Sequence, residues 1–313
     1  MERYYNSQFP IIEAVMNGGS SLQLALACHE AGVFPSLYFE LFNVGPNPIN
    51  YDLFDSQLGE YIKATGTSDV LLGLPVIRLA DPATLKIIKS RKISHIEFLE
   101  EGIDLALTGD PNSYLKSIKD NFDNIVRSAA EYLYPTKFFR RTYTPRLDPF
   151  GFAYSLKGSG AAGLHSDKYT TKQLFDAQKQ LTPKAVLIPY GGISSPSEVS
   201  YFINNGAAAV AIGSLFAASK ESTLADKVKQ AMVATTKKDL VVLPDSNQTS
   251  LLFSKYEDVI PWKFSNIDWN RQRSLTAGLT TGTQGHMYLG ASVDAITEIK
   301  SVKEIVEYLI SEL

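Results

Sequence analysis

The sequence predicts an α/β protein that folds as an eight-stranded (β/α)8 TIM barrel. Three observations support this fold class. Short apolar runs alternate with helical patterns along most of the 313-residue chain. The strands are too apolar to leave one face in water, which is typical of a parallel sheet covered on both sides. The length also fits, because a single barrel commonly exceeds about 200 residues.

Four β/α units are predicted in the first half of the chain. Their strands are expected at residues 9–15, 34–40, 69–76 and 95–100, with helices at 22–32, 52–66, 81–92 and after Pro111. The third helix has the clearest boundary signals. Asp81 can cap its first turn, Pro82 suits its first position, and cationic residues in its last turn suit the helix dipole.

Four further strands, at residues 138–143, 151–157, 185–190 and 207–212, bring the total to eight. The helix between the last two begins with a capping box at Ser195 and Glu198 and ends at Gly206. One connection is unusual, because only TPRLDPF joins the strands at 138–143 and 151–157. A parallel crossover usually takes a dozen or more residues. Either the fifth helix is missing or these segments are not both barrel strands.

Three regions are predicted along the chain. Residues 1–219 form the barrel, and residues 220–290 lack β/α rhythm and are interpreted as a cap over the barrel mouth. Residues 291–313 end in a helix that packs back on the barrel. Aromatic residues of the cap could form an apolar lid that excludes water. These are Tyr256, Trp262, Phe264 and Trp269.

Composition excludes several classes of function. With 30 Lys and Arg against 33 Asp and Glu, the net charge is −3, so no cationic field favours nucleic acid or an anionic membrane. The single cysteine, Cys28, excludes an internal disulfide and suits a reducing compartment, so a cytoplasmic location is expected. No secretion signal or membrane span is predicted. No His and carboxylate residues show metal-ligand spacing, so no metal is expected.

Two glycine-containing loops predict a phosphate site. Gly191 and Gly192 follow the seventh strand, and Gly213 and Ser214 follow the eighth. TIM barrels commonly bind phosphate between these two loops. A single glycine after a strand often only turns the chain. Because both loops carry one, phosphate binding is the favoured interpretation.

Residues 158–163 contain a literal G-x-G-x-x-G after a strand, which raises the alternative of a Rossmann dinucleotide site. That site needs a helix opening within the motif and an acidic residue roughly 20 residues later. Here the following segment is polar and helix-poor, and the next strand ends at Pro189 and Tyr190. The Rossmann interpretation is therefore rejected.

His165 is the candidate for moving a proton, because it follows the sixth strand at the catalytic face of the predicted barrel. His29 lies in an apolar helix, and His95 begins a strand at the opposite end. His286, with Gln284, lies in a glycine-rich part of the cap and could reach the mouth on the substrate side.

The order of these motifs resembles the nitronate monooxygenase family, formerly 2-nitropropane dioxygenases, which includes flavin-dependent enoyl-acyl-carrier-protein reductases. Residues 10–16 resemble its first strand, P-I-x-Q-A-P-M, and residues 157–165 its G-x-E-A-G-G-H signature. Residues 188–192, 209–214 and 216–222 resemble its later glycine-containing and acidic blocks. Residues 290–309 resemble its C-terminal block, whereas residues 40–150 show little similarity.

The resemblance implies a barrel that binds FMN and works as an oxidoreductase. It places Met16 near the isoalloxazine ring and His165 towards the substrate as a general base or orienting group. The implied partners are a small-molecule substrate and, in a monooxygenase, molecular oxygen. The implied cofactor-binding residues are Met16, Lys157, Ser159, Gly191, Gly192, Gly213 and Ser214.

Three activities follow from this resemblance. A monooxygenase takes electrons from its organic substrate, whereas an enoyl reductase takes hydride from NAD(P)H; in both the cofactor performs the difficult step. A barrel that binds flavin without turnover, as a partner subunit, is the third possibility.

The sequence departs from the family pattern at several positions. The signature Glu is replaced by Gly160 or Ala161, and its second Gly by Leu164. The first-strand Pro is Val15, and Gly73 with Leu74 ends the third strand where monooxygenases usually carry Asn. These departures leave the flavin site in place and make the substrate uncertain.

Overall fold

The computed structural model describes residues 4–16, 19–38, 50–99, 120–148, 150–242, 249–251 and 288–313. The strands in chain order are β1 (Ile11–Glu13), β2 (Ser36–Tyr38), β3 (Leu71–Pro75), β4 (His95–Leu99), β5 (Lys137–Thr142), β6 (Ala153–Lys157), β7 (Gly163–Leu164), β8 (Leu187–Tyr190), β9 (Val210–Ile212), β10 (Val241–Val242) and β11 (Thr249–Leu251). Eight of them are parallel and form a nearly closed barrel in the order β1-β9-β8-β6-β5-β4-β3-β2.

Main-chain hydrogen bonds close the barrel between its first strand and the residues that precede its second. Ile12 forms a parallel bridge with Phe34. The Phe34 N–H donates to the Ile11 carbonyl over 2.9 Å, and the Glu13 N–H donates to the Phe34 carbonyl over 2.9 Å. The predicted (β/α)8 TIM barrel is therefore confirmed.

The helices that cover the barrel begin where the sequence places capping residues. Asp81 accepts hydrogen bonds from the first turn of its helix, and Ser195 forms the predicted capping box with Glu198. In chain order the helices are α1 (Leu22–Glu30), α2 (Tyr51–Thr65), α3 (Val76–Leu79), α4 (Pro82–Arg91), α5 (Phe122–Leu133), α6 (Thr171–Leu181), α7 (Pro196–Asn204), α8 (Ser214–Ala217), α9 (Asp226–Val233) and α10 (Val302–Leu309).

The short connection between β5 and β6 replaces the fifth barrel helix. Both segments are barrel strands, because Phe139 lies opposite Ala153 in a parallel register. No helix occurs at residues 143–148 or 150–152, which are the described part of the connection. Gln178 of α6 fastens this connection, since its side chain accepts from the Arg146 N–H over 2.9 Å and donates to the Arg146 carbonyl over 2.8 Å.

The N-terminal segment packs across the end of the barrel at which the strands begin. Tyr5 inserts among Phe34, His95 and Phe139, and Tyr4 packs edge-on against His95 and Phe139. Burial, the larger cause, and the charge of Lys137 together lower the pKa of His95 to about 3. His95 is therefore a neutral core residue. It lies at the amino-terminal end of the barrel strands, where residues contribute to stability rather than to catalysis.

The chain after β9 adds a small sheet and a helix to the barrel. β7, β11 and β10 form a separate antiparallel sheet, so part of the predicted cap pairs with the segment just before His165. Apolar residues of α10 join the same core cluster as Leu24 and Cys28 of α1, so this helix packs on the barrel as predicted. The boundaries of the three predicted regions stay predictions. Among the described residues, no helix is long and apolar enough to cross a bilayer.

Glu13 is a fully buried carboxyl at the end of β1. Its Oε2 accepts a hydrogen bond from the Ser36 N–H over 3.0 Å. Burial raises the pKa of Glu13 from 4.5 to about 8, and hydrogen bonds from Ser36 and Ser20 oppose the shift only in part. The folded protein therefore holds this carboxyl protonated at neutral pH.

We expect Glu13 to make stability fall as the pH rises. Its folded pKa exceeds its unfolded value, so its contribution is complete below about pH 4.5 and is lost as the pH rises through about 8. Within this window the unfolding free energy should fall by up to about 1.4 kcal/mol per pH unit. Urea unfolding from pH 5 to 9 should show this slope in the wild type and a flatter one in Glu13→Gln, whose amide stays neutral. Parallel curves for the two proteins would contradict the assignment.

Candidate functional site

The two glycine loops predicted to bind phosphate lie side by side at the carboxyl end of the barrel. Gly191 and Gly192 follow β8, Gly213 and Ser214 follow β9, and these two strands are paired. Gly191 has φ +103° and Gly192 has φ +75°, both in the left-handed region that favours glycine. The sequence could predict this arrangement because carboxyl ends of neighbouring parallel strands share one edge of the barrel.

The glycine-rich segment at residues 158–163 packs directly against the first of these loops. A Cβ on Gly191 would lie 2.5 Å from the backbone nitrogen of Ala161, so no side chain fits there. A Cβ on Gly160 would lie 3.2 Å from the Cα of Gly192. The G-x-G-x-x-G pattern thus serves close packing of two loops, which agrees with the rejection of a Rossmann unit.

Residues 288–291, here called the strap, complete this group of loops. The Gly290 N–H donates to the Ser214 Oγ over 3.1 Å, and the Ala291 N–H donates to the Gly160 carbonyl over 2.8 Å. Residues 288–290 were predicted to end the cap, and residues 290 and 291 lie in the C-terminal block that resembles the family, but no site role was predicted for them. In the sequence, Gly290 was the one feature of the strap that could have indicated a close backbone contact. Its neighbours, residues 160 and 214, are distant in sequence and are identified only from the fold.

Met16 lies beside the second glycine loop, at the mouth of the barrel. A Cβ on Gly213 would contact the Met16 Sδ at 3.4 Å, which is ordinary van der Waals distance. Met16 is half-buried, and its N–H donates to the Ser20 Oγ over 3.0 Å. The structure therefore brings together Met16 and Gly213, two residues that the resemblance assigns to cofactor binding.

Two of the departures from the family sequence contact each other. Any Cβ on Gly73 would overlap the Cγ1 of Val15, and it would lie 3.1 Å from the ring of Tyr38. Val15 and Tyr38 are buried. The apolar side chain of Val15 therefore occupies the space that a side chain at residue 73 would need.

His165 is 7% exposed and lies just after β7. Its Nδ1 lies 2.8 Å from the Gly163 carbonyl. A carbonyl oxygen only accepts, so we assign the proton to Nδ1, which leaves the Nε2 lone pair as an acceptor. Burial lowers the pKa of His165, the Gly163 carbonyl opposes this shift, and the charge of Lys157 adds to it. His165 is therefore a neutral base near pH 7.

A buried polar group inside the barrel was not predicted from the sequence. The Arg141 Nε donates to Oε1 of Glu97 over 2.7 Å, and the Tyr190 hydroxyl donates to Oε2 over 2.9 Å. Glu97 is fully buried. Burial and the Glu97 charge raise the pKa of Tyr190 well above its usual range. The signal was present for Glu97, because it alternates with the apolar Ile96 and Phe98 and therefore faces the opposite side of β4.

The remaining predicted site residues are placed differently. Lys157 ends β6 and its Nζ would lie 3.8 Å from a Cβ on Gly163, so it is close to the His165 loop. Ser159 is exposed, and its N–H donates to the Tyr169 carbonyl over 2.9 Å. His286 and Gln284, like the four aromatic residues of the predicted lid, lie outside the described residues. Within the described ranges, no group of three His, Cys, Asp or Glu residues is placed to hold a metal.

Comparisons with known proteins show the fold. No protein-family model and no curated protein matches the sequence. The structure of FabK from Thermotoga maritima superimposes with a TM-score of 0.70 at 20% identity, covering 98% of this chain and 93% of that one. Nitroalkane oxidase from Streptomyces ansochromogenes gives 0.66 at 17% identity, covering 98% and 96%.

A third solved structure is the enoyl reductase domain of MlnA from the macrolactin biosynthesis cluster of Bacillus amyloliquefaciens. It gives a TM-score of 0.60 at 11% identity and covers 98% of this chain and 95% of that domain. The chain therefore has, along nearly its whole length, the fold found in FabK, in a nitroalkane oxidase and in an enoyl reductase domain.

We predict that His165 titrates below the usual histidine pKa of 6.5, because it is buried beside Lys157. The measurement is NMR of the imidazole protons as a function of pH, which is tractable with 4 histidines. The missing signal of His165→Asn assigns the resonance. Replacing Lys157 by Met removes a nearby positive charge and should raise the pKa of His165. A pKa at or above 6.5 in the wild type would show that the ring is hydrated.

Proposed function

We propose that the chain is an FMN-dependent oxidoreductase, similar to a nitronate monooxygenase, that oxidises a small or lipophilic organic substrate at the flavin. The observation that carries the proposal is the pair of glycine loops at residues 191–192 and 213–214, on adjacent strands at the carboxyl end of a TIM barrel. This is the position where barrels commonly bind phosphate. The proposal is supported by the likeness in fold to FabK, to the nitroalkane oxidase and to the enoyl reductase domain of MlnA.

The residues present fit the phosphate of FMN. Neither Gly192 nor Gly213 carries a side chain that would cover its main-chain amide. An anion can therefore approach these main-chain amides closely. Ser214 adds a hydroxyl, which can donate to a phosphate oxygen.

When bound, FMN supplies the acceptor for the electrons of the substrate. Met16, which lies close to Gly213, is proposed to contact the isoalloxazine ring with its apolar side chain. The free Nε2 of His165 accepts a proton from the substrate, because its Nδ1 is held by the Gly163 carbonyl. Burial, and to a smaller extent the charge of Lys157, lowers the pKa of His165, so the ring is neutral before the substrate arrives.

A second candidate function is a flavin-dependent enoyl-thioester reductase that uses NAD(P)H. The likeness to the enoyl reductase domain of MlnA favours it. The two activities differ in the electron source, which is the organic substrate in the first and the nicotinamide in the second. A non-catalytic flavin-binding barrel, acting as a partner subunit, would bind FMN and accept electrons from neither.

We expect Gly192→Asp and Gly213→Asp to abolish FMN binding, because each adds a negative charge and a side chain to a loop that is proposed to hold the phosphate. The measurement is flavin absorbance of the purified protein near 450 nm. Gly66→Asp is the matched control for Gly192→Asp. Gly66 has a left-handed φ of +73°, as Gly192 does, and no atom lies within 4 Å of its Cβ position. The control should purify yellow. Full flavin occupancy in both site variants would contradict the assignment.

We expect His165→Asn to retain FMN and lose about 10²–10⁴-fold in turnover, the usual contribution of a general base. The assay is anaerobic reduction of the bound flavin by a panel of nitronates and other small organic acids. His29→Asn, on the outer helix α1, is the control and should keep wild-type rates. A loss of only a few-fold in His165→Asn would make His286 the next candidate.

We predict that the organic substrate, and not a nicotinamide, reduces the flavin. NADH or NADPH at millimolar concentration should bleach the flavin absorbance slowly or not at all under anaerobic conditions. The physical reason is that no described segment provides a nicotinamide-binding fingerprint. A rapid anaerobic bleach by either nucleotide would instead establish the enoyl-reductase candidate.

A further inference from the structure

We propose that Gly290 and Ala291 of the strap form a third wall of the phosphate site and aim the Ser214 hydroxyl at the phosphate of FMN. The inference depends on the proposed function, because it concerns how that same cofactor is held. It adds two residues, more than 70 positions from Ser214 in sequence, to the loops that follow β8 and β9.

The first step concerns the hydrogen bonds of Ser214. Its Oγ accepts from the Gly290 N–H over 3.1 Å. A serine hydroxyl has one proton and two lone pairs, so this bond uses an acceptor position and leaves the proton to be donated elsewhere. Among the described residues, none accepts that proton, although Ser214 is only 6% exposed. A buried hydroxyl donor needs an acceptor, and a phosphate oxygen would supply one.

The second step concerns why the strap cannot shift. The Ala291 N–H donates to the Gly160 carbonyl over 2.8 Å. A Cβ on Gly290 would lie 2.6 Å from the same carbonyl oxygen and 3.2 Å from the Ala162 nitrogen. Leu289, the preceding residue, is fully buried in the core. The strap is therefore fixed in register by a buried side chain on one side and a backbone hydrogen bond on the other.

The third step joins the strap to both glycine loops. Gly160 lies against Gly192, since a Cβ on Gly160 would be 3.2 Å from the Gly192 Cα. Gly290 lies against Gly160 and donates to Ser214. Displacing the strap would therefore release the Ser214 hydroxyl and one side of the Gly192 loop together. Both effects fall on the phosphate and not on the ring of the flavin.

The test compares FMN with riboflavin, which has the same ring system and no phosphate. Two strap variants of the full chain are used. Gly290→Ala introduces a methyl group against the Gly160 carbonyl, and Ala291→Pro removes the N–H that binds this carbonyl. Proline suits this position, because Ala291 begins a 3-10 helix and the preceding Gly290 is extended with φ −95° and ψ −179°. Gly151→Ala, at a left-handed glycine with open space around it, is the control.

Dissociation constants are measured by quenching of flavin fluorescence. Both strap variants should bind FMN about tenfold more weakly, which is the loss expected for one hydrogen bond to an anion, and riboflavin within twofold of wild type. Gly151→Ala should leave both constants unchanged. A general loss of structure would weaken both ligands alike, so the ratio of the two constants isolates the phosphate.

The outcomes separate the two proposals. An unchanged ratio of FMN to riboflavin affinity in Ala291→Pro, with normal FMN binding by the wild type, would overturn the role of the strap and leave the proposed function standing. If Gly290→Ala fails to fold, Ala291→Pro decides alone. A folded wild type that binds neither flavin would overturn the proposed function itself, and the inference with it.

Discussion

The close approach of two loops at the carboxyl end of the barrel is the constraint on which the site depends. Gly191 comes within contact of the Ala161 backbone, and Gly158 comes equally close to Thr171 at the start of α6. Neither approach leaves room for a Cβ. Because these contacts fix the loop after β8, they also fix the segment that leads to His165. The glycine loop after β8 and the segment that leads to His165 are thus positioned by one set of backbone contacts.

Most of the fold could be predicted from the sequence, because the order of apolar strands and capped helices repeats along the chain. Asp81 and Ser195 begin their helices as local rules predict. The connection at TPRLDPF could not be settled locally. Its length allowed either a missing helix or a missing strand, and only the pairing of Phe139 with Ala153 decides between them.

The candidate site could be predicted in part. The loops at Gly192 and Gly213 follow from strand order, since parallel strands direct their following loops to one end of the barrel. The strap could not be predicted, because Gly290 reaches Ser214 only through long-range packing. The buried Glu97 and Arg141 lie on strands, and a search confined to loops overlooks them although strand alternation points Glu97 inward.

The two departures at Val15 and Gly73 are one physical feature. Each alone is a departure from the family's usual residue. In the structure, however, the isopropyl group of Val15 fills the space next to Gly73. Tyr38 closes the same space. The substitutions at residues 15 and 73 are therefore matched in volume, because the side chain of Val15 occupies the space that a side chain at residue 73 would need.

The strap also sets an order of events during biosynthesis. A ribosome releases the N-terminal part of a chain first, and residues 160, 192 and 214 emerge well before residue 290. The eight barrel strands can pair as soon as β9 is available, because all of them precede residue 213. Ser214 gains its main-chain partner only when residue 290 has been made. The nascent barrel thus forms before the strap joins the loops at residues 160 and 214, and a translation product that stops before residue 290 would lack these contacts.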